Sequence, residues 1–184
     1  MIKLQAFTEH DFAQLISWVS SPEFLLKWAG PNFTYPLTHE QLYEYIKGAN
    51  QNNSNMLVYK VIEHSTNTTI GHIALKNIDL ENNSARVGKV LVGDHARGQG
   101  FGLLMMEEIL KVAFQDMKLH KVTLGVFDFN EPAVKTYKKV GFQVDGLLRD
   151  HRKFDKEYWN LIEMSILCSE WHDHLKLKKD SSKS

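Results

Sequence analysis

Three glycines at alternate positions, Gly98, Gly100 and Gly102, stand between an apolar strand and an apolar helix. The stretch reads Val90-Leu91-Val92-Gly93-Asp94-His95-Ala96-Arg97-Gly98-Gln99-Gly100-Phe101-Gly102, and Leu103-Leu104-Met105-Met106-Glu107-Glu108-Ile109-Leu110 follows. A strand that runs through glycines into a helix points to a sheet that is at least partly parallel. Glycine lets the backbone come close to a ligand, because no Cβ stands in the way. The first helical N–H groups have no acceptor inside the helix, and the helix dipole places partial positive charge there. Such an end binds phosphate, and Arg97 adds a cation at its mouth. A tight strand-to-helix turn alone would need one or two glycines, not three behind an arginine.

The loop excludes two common phosphate binders. A Walker loop needs Gly-Lys-Ser/Thr, and this one ends Gly100-Phe101-Gly102. The dinucleotide fingerprint would need glycine at 103, where Leu103 stands, and it expects this unit at the start of its β-α-β run.

Periodicity supplies the rest of the chain. Ile2, Leu4 and Ala6 alternate as a strand, and Thr8 stands three residues before Asp11 as a capping box. Phe12, Leu15, Ile16 and Val19 then share one helical face, which Pro22 is expected to end. Residues 24–36 read as irregular and aromatic; Thr38 starts a second helix with Leu42, Tyr45 and Ile46 apolar. Strands are predicted over 56–62, 69–75 and 85–92, and a long helix runs from the glycine loop to about Met117. A strand over 121–127, a helix over 131–139 and strands over 142–149 and 158–167 complete the pattern. The fold class is α/β in a single domain over 1–170, followed by a polar, basic tail over 171–184 that is expected to fray from Leu175.

Composition narrows the function classes. With 43% hydrophobic residues in 184, the chain can build its own core. Lys and Arg number 22 and so do Asp and Glu, so no basic excess advertises a nucleic acid. The single cysteine, Cys168, cannot form an internal disulfide and reads as a small buried hydrophobe. The first residues do not read as a signal peptide, and no window approaches the roughly 18 apolar residues of a membrane span. A cytoplasmic location without membrane association is the expectation.

A second element lies downstream: Asn130-Glu131-Pro132-Ala133-Val134-Lys135-Thr136-Tyr137-Lys138-Lys139-Val140-Gly141-Phe142. Asn130 suits an N-cap, Pro132 suits the first turn, and Gly141 suits a terminator behind two lysines. Alone, this is a well-capped short helix with Tyr137 on its buried face.

Together the two elements resemble the GNAT family of N-acetyltransferases. Arg97-x-x-Gly100-x-Gly102, with Val92 five residues ahead, is similar to that family's pyrophosphate loop, with Asp94 where relatives often have proline. Asn130-x-x-Ala133-x-x-x-Tyr137-x-x-x-Gly141-Phe142 is similar to its following helix. The resemblance implies a mixed, partly parallel sheet of about seven strands flanked by about four helices. It also implies acetyl-coenzyme A as donor substrate and no metal. By the resemblance, Arg97, Gly98, Gln99, Gly100, Phe101 and Gly102 hold the pyrophosphate. Backbone N–H groups of Val90, Leu91 and Val92 hold the acetyl end, Asn130 the pantetheine arm, and Tyr137 is the general acid to the sulfur. The early helices and Trp28-Ala29-Gly30-Pro31 look most like the ribosomal-protein alanine acetyltransferase branch.

One departure concerns the base. Many relatives carry Glu on the fourth strand just ahead of a glycine, whereas this chain reads Ala85-Arg86-Val87-Gly88. Glu81, His72, Asp128 or a chain of waters are the substitutes. Trp28, Phe33, Tyr35, Tyr158 and Trp159 are candidate walls of the acceptor site, and His172 with His174 lacks the further ligands of a metal site. The implied activity is acetyl transfer to a primary amine, on a protein N-terminus or a small molecule. The alternatives are a coenzyme-A-binding module that has lost its base and a nucleotide-phosphate binder of another class. A homodimer is compatible with the sequence.

Overall fold

The computed structural model describes residues 1–181. Seven strands form one sheet in the order β1-β2-β3-β4-β5-β7-β6. They are β1 (Ile2–Ala6), β2 (Leu57–Glu63), β3 (Thr69–Asp79), β4 (Ser84–Val92), β5 (Lys121–Phe127), β6 (Gln143–Phe154) and β7 (Glu157–Leu167). Every neighbouring pair is antiparallel except β4 with β5. That sheet is the mixed, partly parallel one the sequence predicts.

Helices cover both faces. On one side α1 (Phe12–Trp18), α2 (Pro22–Ala29) and α3 (His39–Ile46) bury Phe12, Leu15, Leu25 and Leu42 against Val58, Ala74 and Leu91 of the sheet. On the other, α4 (Phe101–Lys111) and α5 (Glu131–Val140) bury Met105, Met106, Ile109 and Val140 with Ile73, Val87, Val122 and Ile166. The C-terminal α6 (Cys168–Ser181) joins that second core through Trp171, which packs on Phe114.

Among the described residues there are six α-helices where about four were expected, and each extra one has a physical cause. Pro22 begins a helix instead of ending one: Ser21 caps it by accepting from the Phe24 N–H at 3.1 Å, and proline sits where no N–H is required. The tail expected to fray is helical to Ser181, because Trp171 anchors its first turn in the core. The remainder of that tail lies outside the described residues. The predicted capping box is present, with Asp11 Oδ2 accepting from the Thr8 N–H at 2.9 Å.

Two irregularities shape the centre of the sheet. The β3–β4 register slips between His72 and Ala74, and Lys89 occupies the left-handed region at φ 50°. One extra residue in a strand inverts its facing. Val87 therefore points into the α4–α5 core and Leu91, four residues on, into the α1–α3 core. Secondly, β4 and β5 pair only over Ser84–Arg86 with 121–123; beyond that point the ladder records no further pairs between them. The facing edges of the two strands separate into a slot.

Candidate active site

The slot opens toward the glycine loop. Gly98 and Gly100 take φ 76° and 81°, where a side chain would be strained, and Gly100 is the N-cap of α4 without any side-chain cap. Leu103 and Leu104 donate to the Gly100 carbonyl, which leaves the first-turn N–H groups of Phe101 and Gly102 pointing out of the helix end. A Cβ on Gly102 would lie 4.0 Å from both Thr136 Cγ2 and Val92 Cγ2. The start of α4, the end of β4 and the middle of α5 thus converge at one point. Arg97 is not a free cation there. Its guanidinium pairs with Asp94 at 2.7 Å, donates from Nε to the Val92 carbonyl at 3.2 Å and lies over the Phe24 ring. Asp94, which stands where relatives often have proline, is thereby part of the device that pins the loop to β4. The Gln99 side chain does similar work, donating to the His95 carbonyl at 3.1 Å.

On the other wall, Asn130 occupies the N-cap of α5 but its side chain makes no cap bond, contrary to the sequence expectation. Its carboxamide is therefore available to something else. Tyr137 is buried, 9% exposed, and packs on Phe142. Burial pushes its phenol up to about 12.

The groups named as bases are scattered. His72 is enclosed by Phe7, Trp28 and Tyr45 and its Nε2 lies 3.2 Å from the Tyr45 hydroxyl. Burial, and secondarily the Lys89 charge, push it down to about 3. Glu81 lies in the β3–β4 turn, at the opposite end of β4 from the glycine loop. Asp128 follows β5 and accepts from Asn160 Nδ2 at 2.9 Å. Arg86 is not an unpaired surface charge: it reaches across Gly125 of β5 to Glu163 of β7 in a two-pronged pair at 2.7 and 2.8 Å.

Of the expected walls, Trp28 and Phe33 stack on each other on the α1–α3 face, while Trp159 joins Phe127, Phe129 and Phe154 in a separate cluster. Tyr35 and Tyr158 are exposed. Cys168 is half-buried rather than buried, and its Sγ lies 3.5 Å from His172 Nδ1. Among the described residues no group of three or more His, Cys, Asp or Glu is placed to hold a metal, and no helix is long and apolar enough to cross a membrane.

Two polar residues near the slot carry no motif. Lys89, at the bulge of β4, is 6% exposed, and Glu163 on β7 pairs with Arg86. The signal for each is a charge interrupting an apolar strand, in Val87-Gly88-Lys89-Val90-Leu91 and Leu161-Ile162-Glu163-Met164.

Comparison with known proteins agrees with this architecture. The spermidine N-acetyltransferase of Vibrio cholerae, solved with CoA and spermine, superposes with a TM-score of 0.80 over 92% of this chain and 97% of that one, at 23% identity. In sequence, the spermidine N(1)-acetyltransferase of Vibrio cholerae is 29% identical over 111 residues, 60% of this chain. A ribosomal N-acetyltransferase-like protein of Bacillus subtilis, YdaF, is 26% identical over 101 residues, 55% of this chain. These matched stretches cover 64% and 55% of the relatives' own lengths. The family model of the acetyltransferase (GNAT) domain matches residues 2–143, spanning β1 through the glycine loop to the end of α5. A slot between parting strands, a glycine-capped helix at its mouth and that match lead to one conclusion: the chain belongs to the GNAT acetyltransferases.

Proposed function

We propose that the protein transfers the acetyl group of acetyl-coenzyme A to a primary amine by direct attack, with Tyr137 as general acid. The observation that carries this reading is the parting of β4 from β5 beyond Arg86, with the uncapped start of α4 following β4 and Asn130 following β5. The residues fit the coenzyme. Gly98 and Gly100 present a backbone free of side chains, and the N–H groups through Gly102, with Gln99, Phe101 and Arg97 framing them, suit a pyrophosphate. Asn130 has a carboxamide to spare for the amides of a pantetheine arm.

Bound there, acetyl-coenzyme A supplies an activated thioester. On the open edge of β4 the alternate N–H groups of Val90 and Val92 offer donors for the acetyl oxygen, Leu91 being turned toward β3, and one preorganised donor is worth roughly 3–4 kcal/mol. Tyr137 keeps its proton at neutral pH because burial disfavours the phenolate, and it yields that proton only to a strong base such as a departing thiolate. Neither Arg86, locked to Glu163, nor His72, held near 3, is matched to remove the proton of an ammonium at neutral pH. The acceptor therefore reacts through its own neutral fraction, and kcat/KM rises with pH toward the pKa of the amine. No falling limb from Tyr137 is expected below about pH 11.

Tyr137→Phe tests the assignment. Thiol release from acetyl-coenzyme A should show kcat lowered by about 10²–10³ with the KM for the coenzyme nearly unchanged. An unaltered kcat would remove the phenol from the mechanism. A second reading, a coenzyme-binding module without turnover, draws on Arg86 standing where a base is expected. It requires saturable coenzyme binding by calorimetry with no thiol release from any amine.

A further inference from the structure

A cavity of about 610 Å³ opens between α3 and the β3–β4 hairpin, on the α1–α3 face of the sheet. Its volume suits a small molecule. Lys76 and Lys89 line it together with Asn32, Gln41, Asn55 and Asn77. Lys89 is the feature that needs explaining. Buried ammonium groups are costly unless paired. The fold observes that rule elsewhere: Lys60, also largely buried, is paired with Asp11 at 2.7 Å. Lys89 instead has only Asn32 Oδ1 at 3.3 Å and the faces of Phe33 and Tyr45 at 5.3 and 4.8 Å. Among the described residues, neither Lys89 nor Lys76 has a carboxylate within ion-pair distance. The lining carboxylates, Glu40 and Glu44, lie on the exposed rim, and Glu44 pairs with Lys47.

We propose that this cavity receives a carboxylate carried by the acceptor, so that the substrate is a small amino acid rather than a polyamine. The two lysines and the carboxamides of Asn32, Asn55 and Asn77 supply the donors such a group needs, Gln41 being bonded to the Thr34 and Pro36 carbonyls, and the missing counter-charge arrives with the ligand. Lys89 sits at the bulge immediately before Val90, so the carboxylate site and the proposed acetyl site would share β4. Burial, with Lys76 adding to it, pushes the Lys89 ammonium down to about 8, and an arriving anion would restore it. A polyamine would bring further cations against two lysines. The inference rests on the acetyl-transfer reading.

Thiol release with a panel of L-amino acids, their C-terminal amides and spermidine tests it. Wild-type protein should favour each acid over its amide by about tenfold to a hundredfold in kcat/KM, the span of a charge-assisted hydrogen bond. The amide has the less basic amine, so intrinsic reactivity at neutral pH runs against this preference. Lys76→Gln and Lys89→Met should each raise KM for the acids and draw the acid-to-amide ratio toward unity. Amides or spermidine reacting as well as the acids would overturn the inference while leaving acetyl transfer intact. If no amine releases thiol, acetyl transfer itself fails, and calorimetry of the acids against coenzyme-loaded protein decides the cavity. Saturable heat that Lys76→Gln abolishes supports it, and no heat overturns it.

Discussion

His72 shows how a single side chain can be polar in kind and structural in effect. It is 1% exposed, ringed by Phe7, Trp28 and Tyr45, and remains neutral because those neighbours replace water around it. The unfolded chain takes up a proton on this imidazole near its ordinary 6.5, whereas the native state resists until about 3. The unfolded state thus binds more protons between those values, so stability falls as pH drops through that window. Chemical denaturation at pH 7 and pH 4.5 should show the loss, and His72→Leu should make it smaller. That Asn130 precedes α5 and Tyr137 lies on its buried face was legible in the sequence, because each sits at a fixed offset from a glycine or a helix start. Lys89 and Glu163 were not, because each acquires its meaning from strands far away in the chain: Lys89 from the slip against β3, and Glu163 from the gap over Gly125.

At the level of elements, the glycine loop divides its residues by conformation. Gly100 at φ 81° has open space around it, so alanine there meets no neighbour but strains the backbone by about 1 kcal/mol. Gly102 has ordinary helical geometry with room for a Cβ, and alanine should strengthen the helix by up to about 1 kcal/mol. Calorimetric titration with coenzyme A should therefore find Gly100→Ala impaired and Gly102→Ala close to wild type. Equal impairment would mean that the approach at Gly102 is closer than the protein alone requires. Strands were the most readable elements, since apolar runs bounded by turns place them within a few residues. Helices were less so. Pro22 has opposite meanings at a helix start and a helix end, and only Ser21 accepting from Phe24 decides between them. For α6, a weakly amphipathic stretch rich in lysine gives little pattern, and one tryptophan supplies its anchor.

Across the whole molecule, the Arg86–Glu163 pair ties β4 to β7 over the back of β5. It can do so only because Gly125 has no side chain: a Cβ there would collide with Arg86 Nη2. Gly125→Ala should push the guanidinium away and cost about 1 kcal/mol in urea unfolding, a modest value because both partners are partly solvated. Adding it to Arg86→Ala should cost less than the sum of the two changes, and simple additivity would mean that the pair does not depend on this glycine. This bridge was invisible in the chain order, where its ends are 77 residues apart.

The short parallel seam has a consequence for how the protein responds to an occupant. Three residue pairs hold β4 to β5, and past them the sheet is in effect two half-sheets sharing a hinge. Whatever fills the gap acts as a staple, taking up hydrogen bonds that an eighth strand would otherwise make. Hydrogen exchange followed by mass spectrometry should therefore slow on both sides of the gap, over 88–92 and 124–127, when coenzyme A is added. Protection confined to one side would mean that the two halves still breathe separately.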